Sequence, residues 1–446
     1  MIGQFPWDPF PPGEPDPKGP DPVHGIAYRA AVTAADAYRS VRLALRREGG
    51  TLRLGNRFVA DGRYREVAFL AFGGAAASMG LAALHAIGDR LTQGFVAGPE
   101  ELPAELPFHG AKIAPGYAGT PAAEEVVSAA AEIGGGLTEQ DLLLVLVSPG
   151  ALRALLRPPA GVSDDEFSRV LEAAHAAGAT GREVDLLARV TGDGMVGGRL
   201  ARAIGRADVA TFLVDRGDGP TVLGGGPMRA VDPSERTEAR AVVGRLGLAA
   251  TLPAPLRDRL APGADAPPAT PGRSIPRPVV VASPSDALRA AADAVFDKGW
   301  TSRLAFLEIR DGPEAGADRF LARSEELLVA ERITPDSHTK GLGAFAMTTL
   351  GLPEGLDEGP ALGRFLARAR EGLKRREMSV GLFRTVGPVG SKEYPAGAVV
   401  GAPTDPDAKV RPDRARAQRM RPGITDVGLL AVTLYRSPAT AGKASS

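Results

Sequence analysis

Six consecutive apolar residues, Leu142-Leu-Leu-Val-Leu-Val147, limit what this chain can fold into more than any other stretch. A strand with one wet face alternates apolar and polar residues. An unbroken run suits a strand buried on both faces, as in a parallel sheet covered by helices. The surrounding sequence fits that reading. Val67–Ala71 reads as a second buried strand, Gly73-Gly74 as a turn and Ala75–Ile87 as a helix of small residues. Ala210–Val214 reads as a third strand. Ser163-Asp-Asp-Glu166 is a capping box opening a helix that Gly178 closes. A long helix is expected from Ile26 to Arg47, ended by Gly49-Gly50. Farther on, Val279–Ala282 restarts the strand pattern and Ser283-Pro284 opens a helix to Phe296. Another helix is expected from Ala361 to Arg375, with strands near Val380–Phe383, Ala398–Val400 and Gly428–Leu434. This alternation predicts two α/β domains with mainly parallel sheets and flanking helices.

With 446 residues, one core is not enough. The prolines and small residues mark the divisions. Residues 1–23 form a proline-rich arm carrying Phe5, Trp7 and Phe10, and 24–261 a first domain. Residues 262–278 form a linker, 279–436 a second domain and 437–446 a polar tail expected to be disordered. Lysine plus arginine equals aspartate plus glutamate at 53 each, so no global field exists to hold nucleic acid or an anionic membrane. Neutrality also favours self-association, leaving open a homo-oligomer. With no cysteine, thiolate metal sites and cysteine nucleophiles are excluded. Neither a signal peptide nor a bilayer-length apolar run is present, so a cytoplasmic location is expected.

In open α/β sheets, ligands bind beyond the carboxyl ends of the strands. That rule singles out Gly73 and Gly74 after one strand and Ser148 and Gly150 after the next. It also singles out Asp215 and Asp218 after the third. A glycine turn before a helix presents backbone N–H groups to an anion, yet no lysine or arginine stands in this turn. Asp215 and Asp218 could hold Mg²⁺ through oxygen ligands, or simply solvate a turn. Gly225 and Pro227 lie in a Gly-Gly-Gly-Pro run that would let a ligand approach the backbone or make a sharp turn. The five histidines lack metal-ligand spacing. Only His338, in a polar loop beside Lys340, is retained as a candidate, and Lys340 with it.

In this order the motifs resemble the type 2 glycerate kinases (the glycerate 2-kinase, or MOFRL, family), from about Ile26 to Leu434. The family's G-x-G-K-A-A-x-x-M-A is matched by Ala71-Phe-Gly-Gly-Ala-Ala-Ala-Ser-Met-Gly80, with Gly74 at the lysine position. Its S-G-G-G-S-A-L-L is matched by Ser148-Pro-Gly-Ala-Leu-Arg-Ala-Leu155. Its third motif keeps Gly178-Ala179, Glu183 and Gly197-Gly-Arg-Leu-Ala201 but lacks the Asn, the His and the second Lys. Val214-Asp-Arg-Gly-Asp218, Gly225-Gly-Pro-Met228 and Asp232 resemble S-D-V-x-G-D…S-G-P-T…D. In the second domain Thr385–Ala398 matches G-T-D-G-x-D-G-P-T-x-A-A-G-A with both aspartates lost. The resemblance implies two α/β domains with a cleft between them, and transfer of the ATP γ-phosphoryl group to the 2-hydroxyl of D-glycerate with Mg²⁺. Such catalysis is mostly positioning and charge neutralisation, so the losses imply a diverged, catalytically impaired homologue. It would keep a nucleotide or hydroxy-acid site, or pair with an active paralogue. The alternatives are an active kinase with a rearranged site, charged by Arg153, Arg157, Arg199, Lys340 or Lys392, and an assembly protein that uses the arm.

Overall fold

The computed structural model describes residues 22–99, 102–113, 122–217, 228–262, 276–333, 337–353, 359–373, 378–384, 397–401 and 428–437. Nearly all of the proline-rich arm, most of the expected linker and nearly all of the tail lie outside them. The chain divides into two compact units. One comprises Ala37–Val281 with Leu352–Leu356, and the other Met1–Asp36, Ala282–Gly351 and Asp357–Ser446. Residues 24–36, read from sequence as opening the first domain, thus belong with the second half of the chain.

In the unit built on Ala37–Val281, a six-stranded sheet has the order 279–282, 208–214, 142–147, 67–72, 91–98, 109–112. The pairs from 208–214 through 109–112 are all parallel. Leu142–Val147 lies at the sheet's centre with all six residues buried, and Val67–Phe72 beside it is equally buried. Phe72 registers with Val147 and Val147 with Leu213. The three carboxyl ends are therefore level, and the loops at Gly73, Ser148 and Asp215 leave the sheet on the same side. This is the parallel α/β core expected from the sequence.

The opposite, amino end of that sheet carries the charge pairs. Asp141 is buried and accepts from the Thr138 N–H (2.8 Å) and hydroxyl (2.7 Å), from Arg65 and from the Glu66 N–H. Burial alone would raise its pKa. The Thr138 and Arg65 hydrogen bonds outweigh burial and hold it below the ordinary aspartate value. Replacing Asp141 by Asn leaves donors facing donors. We expect a loss of about 2–3 kcal/mol, read as a lowered urea midpoint.

The helix expected over 26–47 is two helices, Pro22–Ala34 and Ala37–Ala44, followed by a strand, Leu45–Glu48. That strand opens an antiparallel meander with Thr51–Leu54 and Arg57–Ala60. Gly49 and Gly50 do not stop a helix. Both have positive φ (58° and 77°), as a two-residue hairpin turn with matching twist requires. Ser163 caps its helix by accepting from the Glu166 N–H. The reciprocal box is found at Thr180 and Glu183, and again at Asp232 and Glu235.

The other unit holds a five-stranded sheet, ordered 301–309, 341–348, 429–436, 378–384, 397–401. Only its first pair is parallel; the other three are antiparallel. The expectation of mainly parallel pairing thus holds for the first sheet and not for this one. Helix Pro22–Ala34 packs on helix Pro284–Phe296, and its Tyr28 stacks on Phe383 at 5.2 Å.

Candidate functional site

The strand end that should present a cradle is made of two interlocked loops. Gly73 has φ +109° and passes so close to the next loop that a Cβ there would lie 2.2 Å from the Ser148 carbonyl oxygen. The N–H of Gly73 donates to the Ala97 carbonyl (3.0 Å) and that of Gly74 to the Pro149 carbonyl (2.8 Å). The Ala75 N–H donates to Ser148 Oγ (2.9 Å) and the Ala76 N–H to the Gly73 carbonyl (3.1 Å). Ser148 Oγ in turn donates to the Phe72 carbonyl at 3.3 Å. The sequence read this turn as a set of N–H groups aimed at an anion. All four N–H groups instead have protein acceptors, because the small residues let the loops close on each other. What faces outward is Gly74, Ala77, Ser78 and Gly150, each partly exposed, at the N-terminal end of helix Ala76–Ile87. That end carries the helix dipole's positive pole and no side-chain cation.

The arginines that could refill the charge have other partners. Arg153, 2% exposed, pairs with Asp185 at 2.5 Å. Arg157 pairs with Glu124 and Arg199 with Asp193. Arg189 is buried and shares Glu235 with Arg229. Burial first, then the Arg229 and Arg182 charges, pushes Arg189 down to about 10. Glu235 and Asp185 escaped the sequence reading. The reciprocal box at Asp232 and Glu235 was a local signal for one of them; their buried arginine partners, Arg153 and Arg189, lie 32 and 46 residues away.

Asp215 is buried beyond the third strand, and its Oδ1 accepts from the Gly217 N–H at 3.1 Å. The structure therefore brings Gly73, Gly74, Ser148, Gly150 and Asp215 to one sheet end. Asp218, Gly225, Pro227 and Lys392 lie outside the described residues. Among the described residues no group of three or more His, Asp or Glu is arranged to hold a metal ion. Lys340 lies at the amino end of strand Gly341–Thr348, beside Gly299. The carboxyl-end rule that selects Ser148 does not reach it. His338 is exposed beside it. No helix among the described residues is long and apolar enough to cross a membrane.

The fit to a magnesium triphosphate is poor among these residues. The loop amides are used, the nearby guanidiniums are paired, and one carboxylate caps its own turn.

The family described as "Domain of unknown function (DUF4147)" matches residues 25–261, more than half of the chain. A putative hydroxypyruvate reductase of Agrobacterium vitis is 34% identical over 166 residues, 37% of this chain and 36% of the relative. A glycerate kinase of Danio rerio is 27% identical over 249 residues, 52% of this chain and 49% of the relative. The matches thus span about a third to a half of these relatives' lengths. Among solved structures, a glycerate kinase from Thermotoga maritima superposes with a TM-score of 0.64 at 19% identity, covering 93% of this chain and 98% of that one. At that identity the likeness is one of fold, a two-domain α/β fold.

Proposed function

The chain belongs to the DUF4147 family, and from that premise we propose that it is a glycerate-kinase-like protein impaired in phosphoryl transfer that still binds a small nucleotide or hydroxy acid. The observation that carries this reading is the loop pair at Gly73 and Ser148. Its position and framework suit a ligand at the carboxyl ends of strands, but its amides are turned inward and its arginines are neutralised. Phosphoryl transfer depends on charge placed at the transferring group. A site with its fold kept and its charge withdrawn suits binding without turnover, whether the protein works alone or beside an active paralogue. A cytoplasmic location belongs to the same proposal.

The test is a thermal-shift screen with ATP, ADP, D-glycerate and hydroxypyruvate, followed by a coupled assay for ADP release. A ligand-dependent shift without turnover supports the reading. ADP release at an ordinary kinase rate, about 1–100 s⁻¹, would overturn it. The Agrobacterium name adds one control, NADH oxidation with hydroxypyruvate. The turn after Phe72 lacks the G-x-G-x-x-G spacing of a dinucleotide site, so no oxidation is expected.

Gly74 offers a constructive test. It is not among the positive-φ residues, so a side chain meets no backbone barrier there. Gly74→Lys places an ammonium at the exposed face of the loops. One charge-assisted contact is worth about 1.5–3 kcal/mol, so ATP binding should tighten by roughly tenfold or more. Calorimetric titration of both proteins reads the change.

A further inference from the structure

Elements other than the two loops gather a second charged cluster. Asp193, in the two-residue strand Asp193–Gly194 after helix Gly181–Thr191, faces Arg199 at 2.8 Å and Arg259 at 2.8 Å. Both guanidiniums also donate to the Gly192 carbonyl, at 3.3 and 3.0 Å. Arg236 comes from the first turns of helix Pro233–Arg245. Its Nη1 donates to the Arg259 carbonyl at 3.1 Å. Its Nε is buried and has no hydrogen-bond partner.

The charges do not balance. Among the described residues, Asp193 is the carboxylate acting on Arg199, against Arg259, Arg202 and Arg236. Burial and the Arg259 charge hold Arg236 below the ordinary arginine value, and no carboxylate among the described residues offsets them. Three guanidiniums around one carboxylate are costly to keep together unless something negative joins them. A planar guanidinium fork with a buried, unused N–H is the group that tetrahedral oxyanions accept best.

We propose that Arg236, with Arg259 and Arg199 behind it, forms a site for a phosphate group, distinct in its residues from the loops at Gly73 and Ser148. The occupant is inorganic phosphate or the phosphate of a small ester, held by Arg236 Nε and the outward edges of its neighbours. Asp193 sets the strength of binding by competing for the same guanidiniums.

Calorimetric titration of the full chain with inorganic phosphate, and in parallel with glycerol phosphate, tests this. Saturable binding is expected, weakened about tenfold in Arg236→Gln. It should be unchanged in Arg368→Gln, which removes an equal charge from the exposed pair with Asp318. Asp193→Asn should tighten binding; should that variant fail to fold, Arg236→Gln still decides. Tighter binding of the ester identifies an ester as occupant, and equal binding identifies phosphate itself. No saturable binding of either probe overturns the site. So does equal weakening by Arg236→Gln and Arg368→Gln, or binding indifferent to Arg236→Gln.

Discussion

Gly73→Ala is expected to destabilise the chain by at least about 4 kcal/mol, the range of the severest single substitutions. Two independent causes add. The backbone at φ +109° suits glycine and strains any L residue by about 1–3 kcal/mol. The new Cβ would also lie 2.2 Å from the Ser148 carbonyl oxygen, 2.5 Å from Ser148 Oγ and 2.7 Å from the Pro149 carbonyl oxygen. None of these atoms is free to retreat. Ser148 N–H is tied to the Phe72 carbonyl at 2.9 Å, and the Pro149 carbonyl accepts from Gly74. Gly150→Ala is the control. Its φ is +89°, but the nearest atoms to a Cβ are at 3.6 and 3.8 Å, so only the strain of about 1–2 kcal/mol remains. Urea unfolding of the two variants separates the causes. Near-equal midpoints would mean that the interlock of the loops contributes nothing. The comparison also bears on function. A glycine kept for a ligand's approach would tolerate alanine in stability and lose binding, whereas Gly73 should lose the fold itself.

The parallel sheet was legible because its signal is local. Leu142–Val147 is too apolar for anything but a strand buried on both faces, and the structure gives it those bounds. Val279–Ala282 and the helix from Pro284 to Phe296 were equally plain, since Ser283 and Pro284 fix the helix start within two residues. Leu45–Glu48 was not legible. Leu-Arg-Arg-Glu has good helix formers, and only its partner Thr51–Leu54 makes it a strand. Nor was the antiparallel pairing of strand Leu429–Arg436, because direction is a property of neighbours that come from far away in the chain.

The site divides along the same line. Gly73, Ser148 and Asp215 were found because they follow apolar strands. The inward turn of the amides was invisible, since it depends on how closely two loops 75 residues apart approach (148 minus 73). The arginines looked available for the same reason: Asp185 lies 32 residues from Arg153, and Glu235 lies 46 from Arg189. Sequence shows the charges that are present. Only the fold shows which of them are already neutralised.

Acidification should unfold the unit that carries helix Pro22–Ala34, through His24. No motif or spacing in the sequence singles out this residue. It is 1% exposed, its Nε2 meets Ser379 Oγ at 3.0 Å, and its Nδ1 is buried with no partner. The Phe383 ring lies 5.9 Å away. Desolvation by this burial lowers its pKa from 6.5 to about 3, and no charged group among the described residues acts against the shift. The sign follows directly. Between these two values the unfolded chain binds a proton that the folded chain refuses, so stability falls as pH falls. The slope is about 1.4 kcal/mol for each pH unit below 6.5, and the full loss near pH 3 is roughly 4–5 kcal/mol. Above pH 6.5 the group adds no pH dependence. Urea unfolding at pH 7.5, 6, 5 and 4, with His24→Gln alongside, measures it. The amide of glutamine can keep a bond to Ser379 and does not titrate. The variant should therefore start less stable at pH 7.5, because its shape is wrong for the pocket, and should lose less on acidification. Wild type and His24→Gln falling in parallel from pH 6.5 to 4 would leave His24 without a part in the acid sensitivity.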